Sequence, residues 1–177
     1  MKDDSANGGS DEGWVDQVVW TPDAATFDSW QTSKFNPTQL ADPLISGPEA
    51  DPNKDGINNL LGFALGLDPL AGGVTLKDVV TSGLSGTTPA DHLILTLDLP
   101  DPLPSGLTYI IEATGEETLV SGTWTPIATR TSSSPWTGTG TVTEDAAVGG
   151  QRTVHVHDIV NRGAADGRFM RLRVAIP

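Results

Sequence analysis

The hydrophobic pattern of this chain changes period near residue 70. Before that point Ile57, Leu60, Leu61, Ala64 and Leu65 fall at the three- and four-residue intervals of a single helix face. After it Leu93, Leu95, Leu97 and Leu99 alternate with other residues, and so do Met170, Leu172, Val174 and Ile176, with Arg171 and Arg173 on the opposite face. Alternation of that kind marks strands with one buried side. A chain with such a switch has to build a short helical part and a longer sheet part around a common or adjoining core.

Further β-prone runs occur at residues 107–113, 124–129, 138–143 and 151–158, beside 92–99 and 168–176, each bounded by Gly, Ser, Thr or Pro turns. The chain holds 20 Gly and 13 Pro with only 37% hydrophobic residues, which favours short strands over long helices. These features predict a mainly β fold, an antiparallel β-sandwich preceded by a small two-helix segment. Three regions follow: residues 1–20, a flexible acidic arm ending in a candidate pairing strand; residues 21–70, helical; and residues 71–177, the sandwich. In the helical region Thr21 and Pro22 read as an N-cap and first helical residue. The helix runs to about residue 35, burying Ala24, Phe27 and Trp30, and Asn36-Pro37 ends it. Residues 41–52 hold three prolines and read as loop. Gly66 reads as the C-cap of the second helix.

The loop that leads into that second helix carries the clearest chemical signal. Residues 51–62 read D-P-N-K-D-G-I-N-N-L-L-G, with Asp51, Asn53 and Asp55 at every second place and Gly56 next. A hard cation such as Ca2+ is held by oxygens in that pattern, the glycine making the sharp turn. Ile57 supplies a backbone carbonyl and Asn59 a side chain or a bridging water. The twelfth place, where a bidentate Glu would stand, is Gly62. Asp42, Glu49 and Asp68 are the candidate extra ligands. With two certain charges the expected dissociation constant is weak, roughly 10⁻⁴ to 10⁻³ M. Asp, Asn and Gly are also ordinary turn formers, so a plain turn is the alternative.

The segment from Phe27 to Trp30, the run A-D-P-N-K-D-G-I-N-N-L-L-G-F-A-L-G-L-D-P, the middle Y-I-I-E-A and W-T-P, and the ending R-F-M-R-L-R-V resemble a C-terminal module of large secreted bacterial proteins abundant in the Verrucomicrobia. The loop by itself is similar to a single thrombospondin type 3 or dockerin repeat. The chain departs from the module at Gly62, where members usually carry Glu. The resemblance implies a secreted or cell-surface location, calcium dependence and no enzyme activity.

Other functions are constrained by charge and by missing motifs. The net charge of −13 argues against nucleic acid and anionic membranes as partners. The acid is uneven: up to Asp101 there are 16 Asp and Glu against 4 Lys, a balance of −12, and beyond it 7 against 6 Arg, a balance of −1. There is no cysteine, so neither disulfides nor thiolate sites are available. No run approaches the length of a membrane span. The first twelve residues are polar and acidic, unlike a signal peptide. No nucleophile elbow, zinc-protease helix or phosphate loop is present, Ser85 lacks the elbow spacing, and the pairs Glu116-Glu117 and Glu144-Asp145 read as loop charges. His155 and His157 share a strand face. They are either metal ligands awaiting a third donor or solvent-facing residues opposite inward Val154 and Val156.

Five tryptophans against one tyrosine is an unusual aromatic balance. Trp30 and Trp124 read as core. Trp136, in S-S-S-P-W-T-G, reads as an exposed loop residue and a candidate glycan contact, as do Trp14 and Trp20 for a glycan or a protein partner. The run W-V-D-Q-V-V-W at residues 14–20 is also a strand that can pair with an open sheet edge, in its own domain or in the next subunit. The expected function is therefore a non-catalytic, calcium-stabilised surface module for structural, adhesive or self-assembly roles, filament formation included. An accessory polysaccharide-binding module is the alternative.

Overall fold

The computed structural model describes residues 24–75, 80–84, 92–161 and 167–176. Four short helices come first: α1 (Phe27–Lys34), α2 (Pro37–Leu40), α3 (Pro43–Ser46) and α4 (Asn59–Leu65). Then follow β1 (Val80–Leu84), β2 (His92–Pro100), β3 (Thr108–Gly115), a one-turn α5 (Glu116–Val120), β4 (Thr125–Thr131), β5 (Thr141–Glu144), β6 (Gln151–Asn161) and β7 (Arg168–Ala175). The first sheet has the order β1-β2-β6-β5 and the second β4-β3-β7, with every pairing antiparallel. The predicted fold class, mainly β with antiparallel sheets after a small helical segment, is the one observed.

Each strand sends alternate residues inward. Leu95, Leu97 and Leu99 of β2 and Val154 and Val156 of β6 meet Tyr109, Ile111 and Ala113 of β3 and Ile127 of β4 in one buried cluster. Trp30, Phe35, Phe63, Ala64 and Leu65 from the helices belong to the same cluster, so the helical and β regions share one core. Phe27 and Phe63 both pack against Trp30, with ring centroids 5.6 and 5.7 Å away. The Tyr109 hydroxyl donates to the Ala64 carbonyl across 2.8 Å, pinning α4 to β3. Ser105, in the turn before β3, donates its backbone N–H to the Ala25 carbonyl (2.9 Å).

Several local expectations need correction. Helix α1 begins at Phe27, not near Pro22, because Thr26 and Ser29 cap each other: Ser29 N–H donates to Thr26 Oγ1 (3.2 Å) and Thr26 N–H to Ser29 Oγ (3.0 Å). Trp30 is buried, whereas Ala24 and Phe27 are half-buried. Asn36 ends one helix by starting another, accepting from the N–H groups of Thr38 and Gln39 at the head of α2. The predicted 41–52 loop contains α3, capped by Asp42. Helix α4 starts after Asn58, which caps Leu61 N–H, and stops at Gly66, whose φ of 71° suits glycine. It buries Gly62 and Phe63 as well as Ala64 and Leu65, while Leu60 and Leu61 are only half-buried. In β7 the arginines do face outward, but Ile176 is 50% exposed rather than inward.

Candidate metal loop and its surroundings

The loop before α4 brings three predicted ligands together. Both oxygens of Asp51 accept from the loop backbone: Oδ1 from Asp55 N–H (3.3 Å) and Oδ2 from Gly56 N–H (2.9 Å). Asn53 Oδ1 accepts from the same Asp55 N–H (3.2 Å), and Asp55 Oδ1 accepts from Ile57 N–H (2.8 Å). Short side chains bonding a few residues ahead are what curl such a loop. Two residues with positive φ complete the reversal, Lys54 at 60° and Gly56 at 88°. The remaining Asp55 oxygen accepts from Asn53 Nδ2 (2.8 Å), which also donates to the Ala71 carbonyl (2.7 Å). Ala71 carries no signal in the sequence. The turn after Asp68-Pro69 brings its carbonyl to the loop.

Ile57 is buried and anchors the loop to the protein interior. Asn59 is 1% exposed, and its Nδ2 donates to the carbonyls of Ile45 and Gly47, both at 2.8 Å. Its Oδ1 has no hydrogen-bond partner among the described residues. A buried amide oxygen without a donor is uncommon, since a few such groups at most are tolerated in a fold. Backbone bonds from Asn59 N–H to Ala50 and from Leu60 N–H to Pro48 tie the head of α4 to the same stretch. Asn59 therefore holds the α3 region against α4 from one side of its amide.

The candidate extra ligands are engaged elsewhere. Asp42 accepts from Leu44 N–H (2.9 Å) as the cap of α3. Glu49 accepts from Asn58 Nδ2 (3.2 Å). Asp68 accepts from Leu70 N–H and pairs with Lys34, both at 2.9 Å, and these two contacts hold its carboxyl below the ordinary carboxylate range. Among the described residues no three His, Cys, Asp or Glu side chains are grouped to hold a metal. The loop thus offers two carboxylates, Asp51 and Asp55, with amide and backbone oxygens around them. That all-oxygen set suits a hard cation better than a soft one.

The aromatic and histidine candidates fall into different settings. Trp136 is half-buried, not loose on a loop. Its Nε1 donates to Glu144 Oε1 (2.7 Å), and the Arg130 guanidinium lies 5.8 Å from its ring centroid. These residues, with Thr137, Gly140 and Val142, line an open cleft of about 400 Å³. Trp14 and Trp20 lie outside the described residues, as does Ser85. Trp30 is core as predicted, but Trp124 is only half-buried, stacked beneath the Arg171 guanidinium at 4.1 Å. Val154 and Val156 face in, and His155 and His157 face the other way. His155 Nδ1 meets Thr96 Oγ1 at 3.0 Å, and its Nε2 lies 3.5 Å from Asp145. Glu116 and Glu117 begin α5, and Glu144 pairs with Arg130 and Arg152.

No protein-family model, curated protein or solved structure matches this chain. Among the described residues, no helix is long and apolar enough to cross a membrane.

Proposed function

We propose that this chain is a non-catalytic, calcium-stabilised module of a secreted or cell-surface protein, with a structural, adhesive or assembly role. The observation that carries the reading is the convergence of Asp51, Asn53 and Asp55 in a curled loop joined directly to a core helix. Ca2+ would be held by these three side chains and the Ile57 carbonyl, with Asn59 on the α4 side of the loop. Bound there, the ion would supply net positive charge between two carboxylates that, among the described residues, face only uncharged donors. Its binding energy passes into folding, because α4 carries Phe63, Ala64 and Leu65 into the shared core. The resemblance of the loop to thrombospondin type 3 and dockerin repeats supports an extracellular setting, where calcium is plentiful and a weak site is filled.

Calcium titration by calorimetry, with melting curves in calcium and in chelator, tests the reading. The wild type binds and melts higher in calcium, whereas Asp51→Ala and Asp55→Ala show no calcium-dependent shift. Equal shifts in all three proteins would remove the loop from the argument.

The Trp136 cleft favours a second reading, an accessory glycan-binding module. An indole ring with Arg130 over it and Glu144 on its Nε1, lining an open cleft, offers both a ring and polar groups to a sugar. Retention on a panel of polysaccharides, with and without calcium and with Trp136→Ala, decides it. Failure of every polysaccharide to retain the wild type ends that reading.

A further inference from the structure

Among the described residues the second sheet has three strands against four in the first, with β7 at one edge. β7 pairs with β3 on one side. Among the described residues no strand pairs with its other side. The opposite edge of the sheet is different. There Gly140 N–H donates to the Ile127 carbonyl (2.8 Å), and Thr129 and Thr137 exchange bonds of 2.7 and 2.9 Å, so the chain itself crosses the β4 edge. Beside β7 lie two hollows instead. One of about 200 Å³ is lined by Leu93, Leu95, Phe169 and Met170 with Arg168, the other of about 260 Å³ by Leu61, Leu172 and Val174 with Glu49, Asn58 and Arg173. Met170, Leu172 and Val174 pack against the core yet remain half-buried. An edge that no described strand covers, with mixed apolar and polar hollows alongside, is a seat for a strand that carries both kinds of side chain.

We propose that residues 14–20 of the same chain, W-V-D-Q-V-V-W, fill this seat as a fourth strand running parallel to β7. The chain before Ala24 is 23 residues long, and its attachment point is known: Ser105 bonds to the carbonyls of Ala24 and Ala25. Ser105 stands just before β3, whose first residue Thr108 pairs with Ala175, the last of β7. The segment is thus tethered at the end of the sheet where β7 finishes. Residues 21–23 span at most about 13 Å, and the new position lies two strand spacings, about 10 Å, beyond β3. Trp20 must then sit at the Ala175 end, which makes the pairing parallel.

Charge agrees with this placement. Arg171 and Arg173 on the outer face of β7 both bond to one carboxylate, Glu112, at 2.8 and 3.2 Å. In such a strand Asp16 supplies the second acid on that face, together with Trp14, Val18 and Trp20, and alternation turns Val15, Gln17 and Val19 toward the mixed lining of the hollows. Parallel pairing is slightly weaker per residue than antiparallel. The short tether offsets this by presenting the strand at a high effective concentration.

Hydrogen exchange on the full chain, on a V18P/V19P variant and on a variant lacking residues 1–20 tests the proposal, with light scattering for mass. The β7 amides that do not bond to β3 are slow in the wild type. They exchange about tenfold faster in both variants, the equivalent of one ordinary hydrogen bond. Amides of β2 and β6 stay unchanged, which shows that the variants fold, and the wild type stays monomeric. Unchanged β7 exchange overturns the proposal. So does a wild type that forms concentration-dependent oligomers abolished by the deletion, because the strand then serves a neighbouring copy.

Discussion

The β-sandwich and the helical segment treat their acids differently. In the sandwich the buried carboxylates are matched by arginine. Asp158, with no exposed side-chain surface, takes two bonds of 2.7 Å from Arg168. Glu112 takes bonds from Arg171 and Arg173. In the loop before α4, Asp51 and Asp55 receive backbone N–H groups and one amide. Such donors orient a carboxylate but bring no net charge. Among the described residues, the ion pair within the helical segment joins Lys34 to Asp68, away from the loop acids. The buried acids of the sandwich thus meet cationic partners, whereas among the described residues Asp51 and Asp55 meet only neutral donors.

Breaking an internal match should have the largest effect. Arg168→Ala leaves a fully buried carboxylate unpaired and is expected to cost about 3 to 5 kcal/mol in urea unfolding. Adding Asp158→Ala should restore part of that loss. If the double variant is no more stable than the single one, the pair is not the source of the cost. Calcium comes next. At about 10 mM calcium a site in the expected affinity range stabilises by about 2 kcal/mol. Asp55→Ala should lose this gain entirely, while Arg168→Ala keeps it, provided unfolding is compared below each protein's own midpoint.

Tyr109→Phe probes the join between the two regions. It leaves the Ala64 carbonyl without its buried donor, at about 1 to 2 kcal/mol. Burial also pushes the Tyr109 phenol above its ordinary value of 10. The folded state therefore keeps the proton longer than the unfolded chain. Its contribution is complete below about pH 10 and declines as pH rises beyond it. Stability measured into the alkaline range should fall for the wild type and stay flatter for Tyr109→Phe. The smallest effect is expected at Lys34→Ala. The Leu70 N–H and Lys34 both lower the Asp68 pKa, so this contribution is present above the ordinary carboxylate range and is lost as pH falls through the lowered pKa. The Asp68 side chain is 46% exposed, so screening keeps the loss below about 1 kcal/mol.

The strands were legible because alternation is a direct image of a half-buried sheet. Residues 92–99 and 168–176 match β2 and β7 to within a residue at each end. β1 was missed: Gly83 interrupts its short run. The start of α1 was misplaced because Thr21-Pro22 is a strong local signal, whereas the Thr26–Ser29 pair that caps the helix is a weaker one. The helical stripe before Gly66 assumed a helix with one buried face. α4 is instead buried on several, so Phe63 and Asn59 were not expected in the interior. In the candidate site, Asp51, Asn53 and Asp55 were readable from spacing alone. The Ala71 carbonyl and the amide of Asn59 were not, since the direction of a carbonyl or a buried amide depends on packing between distant segments. Size alone suggests a core position for Trp124, but the half-buried ring lies against the Arg171 guanidinium.

The bond from Tyr109 to Ala64 reaches across 45 residues, and it bears on how such a chain can be inherited. A gene rearrangement that joined the strands to a different leading segment would have to place another carbonyl at that hydroxyl and refill the core now occupied by Trp30, Phe35 and Phe63. Recombination between the two parts is therefore penalised at once. They should travel between genes as a single cassette, with a counterpart of residues 27–65 accompanying the strands wherever they go.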